Sequence, residues 1–366
     1  MATPIQPVIP SFYKPKGTTA AATNNKNVND NHKESVIGTN DDAASCKESA
    51  VKIGYWKDDF IQYFVKSPVR RAPLINRGFF TRVETVEALL NQFIQVYTTP
   101  SSSSSSSPSC LQLVNLGCGY DTLFFRLKQQ QQQQQHEITF FEVDYLQVIQ
   151  NKLKIINSTK ELRHLVDSDW NDPIPSSSSS SSTNQTQTNG LHNVKIDWEN
   201  NRMISPHYRV SPIDLCNISS FDEIFNSLGI NYNIPTIFLS ECVIIYITAD
   251  NGNKVIKWAS DHFKESCFVT YEQIKPFDEF GSMMVKNINS KGCPLQSIYQ
   301  FPDLIAQKNR YLQLGWNRSD ALDMVDIYNY FIDKSKIKII ERLEIFDEFE
   351  EWYLIQGHYC FTNLRY

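Results

Sequence analysis

The run Val114-Asn115-Leu116-Gly117-Cys118-Gly119-Tyr120-Asp121-Thr122 joins a short apolar segment to a glycine turn and then to a helical pattern. A strand feeding a glycine turn that opens a helix is a nucleotide-binding layout. Glycine lets the backbone approach a ligand, and the first N–H groups of the helix face it unpaired. A dinucleotide site wants G-x-G-x-x-G, the third glycine easing helix–strand packing, and that position here is Thr122. The pattern therefore favours a cofactor without a pyrophosphate, such as S-adenosylmethionine, over NAD; a plain strand-to-helix turn is the other reading. Asp144 follows the next apolar run, Ile138–Val143. With the glutamine tract Gln129–Gln135 set aside, it falls close to the ~20 residues at which an acid ending the second strand holds ribose hydroxyls.

Asp214 and Glu241 follow two more strand-like runs, Tyr208–Pro212 and Thr236–Ser240. The carboxyl edge of an open parallel sheet is where ligands bind. Asp214 suits an adenine amino group, with Leu215 on the ring, and Glu241 suits an ammonium group. Each alone reads equally well as a turn or helix cap, whereas together they mark one crevice. Arg82 lies at the margin of an apolar helical stripe, three residues after Phe79 and four before Val86. Spacing alone favours a stem laid along the stripe with its head in water, although a guanidinium there is also suited to align a carboxylate. Tyr246 is either a hydrogen-bond donor near Glu241 or a core tyrosine.

These residues need elements to hold them. Helical spacing is expected over Ser45–Lys66, ended by Pro68, and over Gly78–Tyr97, forming a cap before the first strand. Strands are expected at Leu111–Leu116, Ile138–Val143, Tyr208–Pro212, Thr236–Ser240, Cys267–Tyr271, Ile337–Ile345 and His358–Leu364. Helices are expected at Tyr120–Lys128, Tyr145–Ile156, Asp250–Lys264 and Asp347–Ile355. The alternation implies an α/β fold, a mostly parallel seven-stranded sheet covered on both faces, whose final strand is suited to run antiparallel. Lys275–Asp333 reads as a helical insertion without strands. Residues 1–44 read as a disordered tail, and 101–107, 129–135 and 176–189 as low-complexity loops, because they offer little apolar surface to offset the entropy of ordering. The elements thus read as one α/β domain over 45–366.

Composition narrows the function classes. Of 366 residues, 41% are hydrophobic and 12% aromatic, enough for a core. The longest apolar stretch is too short to span a bilayer, and no signal peptide is read. A net charge of −5 lacks the basic footprint of a nucleic-acid binder. The eight cysteines never approach C-x₂-C spacing, and no histidines pair as H-x₃-H or H-E-x-x-H. Buried free thiols in a reducing cytoplasm, with no metal, are the expectation.

With these residues in place, the chain from about Ser45 to Tyr366 resembles the leucine carboxyl methyltransferases, which methylate the C-terminal leucine of the type 2A protein phosphatase catalytic subunit. The resemblance is carried by IGYWKDDFIQYFV (Ile53–Val65), RRAPLINRGFFTRV (Arg70–Val83), VNLGCGYDT, FFEVDY (Phe140–Tyr145), SECVIIYI (Ser240–Ile247) and YEQI (Tyr271–Ile274). It implies S-adenosylmethionine contacts at Lys47, Arg82, Gly117, Asp144, Asp214, Leu215 and Glu241, with Gly119 in the same turn. It also implies a lid and substrate pocket built by the N-terminal helices and the insertion, catalytic roles for Arg82 and Tyr246, and a monomer in the cytoplasm. A related branch makes wybutosine in transfer RNA and carries a repeat domain after the methyltransferase; this chain stops after its last strand, which disfavours that branch. Two alternatives are a small-molecule carboxyl or hydroxyl O-methyltransferase and a noncatalytic phosphatase-binding protein of the same fold.

Overall fold

A computed structural model describes residues 28–98, 110–130, 137–176 and 193–363. Residues 1–27, the Ser101–Ser107 tract and most of the other two tracts lie outside them. Two long helices open the chain, α1 (Val28–Ile53) and α2 (Pro73–Thr98), joined through a 3₁₀ turn at Ile61–Phe64. The β/α alternation then begins with β1 (Cys110–Leu116), α3 (Leu123–Gln130), β2 (Glu137–Asp144), α4 (Leu146–Ser158) and α5 (Lys160–Val166). A hairpin follows, β3 (Lys195–Asp197) with β4 (Arg202–Ile204), then β5 (Tyr208–Pro212), α6 (Phe221–Ser227), β6 (Thr236–Glu241), α7 (Ala249–His262) and β7 (Ser266–Gln273). The remainder is α8 (Glu279–Ser290), α9 (Leu304–Gln313), β8 (Ala321–Asp323), α10 (Met324–Asp326) with a π-helical turn, α11 (Lys334–Ile340), α12 (Phe349–Gln356) and β9 (Tyr359–Thr362).

The strands form one sheet in the order β3-β4-β5-β2-β1-β6-β7-β9-β8. Its centre, β5 to β7, is parallel throughout. The hairpin extends one edge antiparallel, and β9 pairs antiparallel with both β7 and β8 at the other. Side chains two apart share a face of a strand, and the central strands use this to build two cores. Leu111 and Leu113 of β1, Phe140 of β2, Leu239 of β6 and Val269 of β7 pack toward α2 and α3. Val114, Leu116, Phe141, Phe238 and Phe268 pack on the opposite face with Phe225 and Trp258. Burying each such side chain stabilises by roughly 1.5–3 kcal/mol, which fixes the strand register and hence the sheet edge that carries the site.

Five expectations need correction. Among the described residues the sheet has nine strands, because the short hairpin β3–β4 and the edge strand β8 give no apolar run long enough to read. Ile337–Ile345 is not a strand: Asp333 caps α11 by accepting from Ser335 N, and only Ile337 and Ile340 of its isoleucines are buried, at helical spacing. The insertion therefore contains a strand, and the stretch after it begins as a helix. Finally, 28–44 is helix rather than tail, while Ser45–Lys66 breaks at Gly54, whose φ of +102° ends α1.

Candidate active site

The turn after β1 runs through Gly117 (φ +67°) and Gly119 (φ +50°), a left-handed region that glycine enters without the Cβ penalty. A Cβ on Gly117 would lie 2.4 Å from Val243 Cγ2, and one on Gly119 would lie 2.4 Å from Asn40 Oδ1 on α1. The glycines are therefore required both for the turn and for the close approach of neighbouring chain. At the end of β2, Asp144 accepts from Gly119 N at 2.7 Å and from Tyr145 N at 2.6 Å. Burial pushes its pKa up to about 6, against the lowering effect of those two N–H donors.

Beneath the turn, Lys47 of α1 bridges to Asp121 Oδ2 at 3.0 Å, and both side chains are buried. Asp121 Oδ1 accepts from Leu123 N at 2.6 Å at the start of α3. Burial opposes ionisation of Asp121, but Lys47, Arg126 and Lys152 outweigh it and hold the carboxyl below its usual range. Lys152, wholly buried, donates to the Asp121 carbonyl at 3.1 Å and pairs with Glu142 of β2, whose carboxylate also accepts from Tyr208. The glycine turn thus rests on a buried, largely paired charge network, which rigidifies it.

Arg82 of α2 reaches the end of β6 and pairs with Glu241. Its guanidinium lies 4.7 Å from the centroid of the Tyr271 ring, a cation–π distance. Burial would lower the pKa of Arg82, but Glu241, Cys242 and Tyr271 outweigh it and hold the guanidinium charged. Glu241 and Tyr271 are register partners on β6 and β7. Immediately beyond, Cys242 takes φ +55°, a conformation that costs a non-glycine residue about 1–3 kcal/mol. Strain at this position turns the chain at the end of β6.

Asp214, past β5, is bridged at 2.6 Å by Lys33 of α1, and Lys33 also faces the Tyr145 ring. Burial works to raise the Asp214 pKa, and hydrogen bonds from Lys33 and Cys216 bring it below its usual value. Leu215 is buried in the core beside α6 and α7. Tyr246 is buried against Met284, Val285 and Leu295 of the insertion, and Tyr359 packs partly against the same cluster. Its phenol is held well above its usual pKa, by burial first and then by Cys242 and Tyr359, with Arg82 opposing.

The structure therefore brings Gly117, Gly119, Asp144, Lys47, Arg82 and Glu241 to one sheet edge, with Asp214 and Leu215 beyond β5 and Tyr246 on the insertion side. Asp121, Lys33, Tyr271 and Tyr359 complete it and were not singled out from the sequence. Applying the carboxyl-edge rule to β7 as well as to β6 points to Tyr271; Lys33 carries no local signal, because its partner is distant in sequence. Among the described residues no three His, Cys, Asp or Glu side chains group as a metal site, and no helix is long and apolar enough to cross a membrane. Among the described residues no disulfide joins the cysteines; Cys216 is exposed, so not all are the buried thiols expected.

The Cβ-free turn and the acids spaced along the ends of β2, β5 and β6 fit S-adenosylmethionine. A mostly parallel α/β sheet with these groups at its carboxyl edge has the fold and site of an S-adenosylmethionine-dependent methyltransferase. The chain belongs to the leucine carboxyl methyltransferase family, whose model matches residues 35–260. It is 35% identical to a leucine carboxyl methyltransferase 1 homolog of Arabidopsis thaliana, over 90% of this chain and 89% of that protein. Leucine carboxyl methyltransferase 1 of Bos taurus is 31% identical, over 96% and 94%. The tRNA wybutosine-synthesizing protein 4 of Homo sapiens is also 31% identical, over 88% of this chain and 43% of that protein.

Proposed function

We propose that this protein transfers a methyl group to the α-carboxylate of the C-terminal leucine of the type 2A protein phosphatase catalytic subunit, in the cytoplasm. The observation that carries the reading is Arg82, a part-buried guanidinium at the sheet edge between Glu241 and Tyr271. The leucine carboxyl methyltransferase relatives support the choice of substrate.

The chemistry asks little of an acid or base. An α-carboxylate has an unperturbed pKa of roughly 3.5 and is already ionised at neutral pH. S-Adenosylmethionine, when bound, supplies an electrophilic sulfonium methyl. Asp144 would hold its ribose, Asp214 and Leu215 its adenine, and Gly117, Gly119, Lys47 and Glu241 its amino-acid portion. Arg82 would align a carboxylate by its planar fork, and Tyr246 would close the insertion side of the chamber. Holding two reactants in line in this way can supply roughly 7–11 kcal/mol of the barrier.

Identity to a tRNA wybutosine-synthesizing protein favours a second reading, methyl transfer to a tRNA nucleoside. Parallel assays with labelled S-adenosylmethionine separate the two. Label on the phosphatase subunit and none on tRNA supports the first reading; the reverse result overturns it.

A further inference from the structure

Residues Ile244–Tyr246 form a short 3₁₀ turn outside the sheet and the long helices, so other groups must hold its backbone. They do so from three directions. Glu272 of β7 accepts from Ile245 N at 2.8 Å. Ser297 of the insertion donates its Oγ to the Ile244 carbonyl at 3.3 Å and its backbone N to the Ile245 carbonyl at 3.3 Å. Gln296 donates to the Tyr246 carbonyl at 2.9 Å, which His32 of α1 also meets at 3.0 Å. The turn begins just after the strained Cys242 and ends on Tyr246, so it sets where Tyr246 sits relative to Glu241.

Glu272 is the costly member of this clasp. It is 1% exposed, and among the described residues its Oε2 has no hydrogen-bond partner. The facing cation is Arg310 of α9, whose Nη1 lies 3.9 Å from that oxygen. Arg310 is held elsewhere: its Nε donates to Asn253 Oδ1 at 2.8 Å, and its guanidinium stacks on Phe301 at 4.0 Å. Burial pushes the Glu272 carboxyl up to about 7, although Arg310 and the Ile245 N–H both work to lower it. A buried, incompletely paired charge often stabilises a fold less than an apolar side chain of similar volume. Packing alone would therefore be served as well by methionine. What an apolar side chain cannot supply is an acceptor for Ile245 N.

Glu272 also faces away from the reacting groups. Its neighbour Tyr271 lies against the Arg82 guanidinium, and successive side chains of a strand point to opposite faces of the sheet. Any influence of Glu272 on transfer is therefore exerted through the turn, and Tyr246 is the residue of that turn packed against the insertion.

We propose that Glu272 is a positioning residue for methyl transfer, holding the Ile244–Tyr246 turn so that Tyr246 closes the chamber beside Arg82. Its activity assay rests on the reading of the phosphatase subunit as substrate. The test compares full-length Glu272→Gln with Glu272→Met. Both lose the charge facing Arg310, and only Glu272→Met loses the acceptor for Ile245 N. At saturating S-adenosylmethionine, kcat on the phosphatase catalytic subunit should fall roughly 10- to 100-fold in Glu272→Met and stay within about threefold of wild type in Glu272→Gln. Both variants should still bind S-adenosylhomocysteine in calorimetry. An equal loss of kcat in the two overturns the proposal, since the charge opposite Arg310 then matters and the acceptor does not. Wild-type kcat in Glu272→Met, with a lowered melting temperature, also overturns it and leaves Glu272 a purely structural residue. Amide hydrogen exchange needs no substrate. The Ile245 N–H should be protected in the wild type and in Glu272→Gln, and exchange roughly tenfold faster in Glu272→Met. Rapid exchange in the wild type overturns the proposal whether or not the phosphatase is labelled. The predicted exchange pattern beside an unlabelled phosphatase overturns the substrate reading alone and supports the hold of Glu272 on the turn.

Discussion

The Arg82 guanidinium shares a hydrogen bond with the Glu241 carboxylate while lying over the Tyr271 ring, tying α2 to the ends of β6 and β7. Arg82→Lys keeps the charge and loses the fork. Hydrogen bonds to charged groups contribute roughly 1.5–3 kcal/mol, so turnover should fall about 10- to 150-fold with the fold intact. Calorimetry with S-adenosylhomocysteine then assigns the role. A weakened affinity places Arg82 on the cofactor carboxylate; an unchanged affinity with raised KM places it on the substrate. Near-normal turnover would remove Arg82 from the site.

Asp144 gives the site a pH dependence. Its pKa in the folded protein is pushed up to about 6, above the ordinary aspartate range, because burial disfavours the carboxylate. In that window the folded state binds more protons than the unfolded state, so this residue's contribution to stability declines as pH rises from about 4 to about 6. Cofactor binding runs the other way. Ribose hydroxyls donate to the ionised carboxylate, so affinity should fall by up to tenfold per pH unit below about 6. Asp144→Asn should bind weakly at neutral pH and lose that dependence; a parallel pH profile in the variant would contradict this role.

Lys152 and Glu142 form a wholly buried pair beneath the glycine turn. Removing one partner of such a pair strands the other charge, at a cost of about 3–5 kcal/mol. Lys152→Met should lower the unfolding free energy in urea by that amount. A loss below about 1 kcal/mol would show that Glu142 is neutral in the fold.

How much of this was legible follows from the range of each signal. The strand–Gly117–Gly119–helix unit and the acids after β2, β5 and β6 are short-range patterns, and the sheet places them together. The Arg82–Glu241 pair joins residues 159 apart and depends on how α2 crosses the sheet edge, which no local pattern encodes. Helix α1 was missed before Ser45 because its Asn, Asp and Ser residues are modest helix formers; contacts such as Lys33–Asp214 and Asn40 against Gly119 hold it instead. In α11 a run of β-branched isoleucines resembled a strand, and the cap from Asp333 was the signal overlooked.

Those α1 contacts bear on dispensability. Residues 1–44 read in the sequence as a disordered tail, yet 28–44 reach Asp214, Gly119 and the Tyr246 carbonyl, the last through His32 at 3.0 Å. Deleting residues 1–44 should speed dissociation of S-adenosylhomocysteine, measured by stopped flow, while leaving the melting transition cooperative. An unchanged dissociation rate would show that α1 covers the crevice without retaining its ligand.

The central claim is methyl transfer to a terminal leucine carboxylate. The most direct measurement is incorporation of labelled methyl from S-adenosylmethionine into the phosphatase catalytic subunit, beside the same subunit lacking its last residue. Label on the intact subunit, released by mild base as expected of an ester, and none on the shortened one is the predicted result. Equal labelling of the two, or none of either, would contradict it.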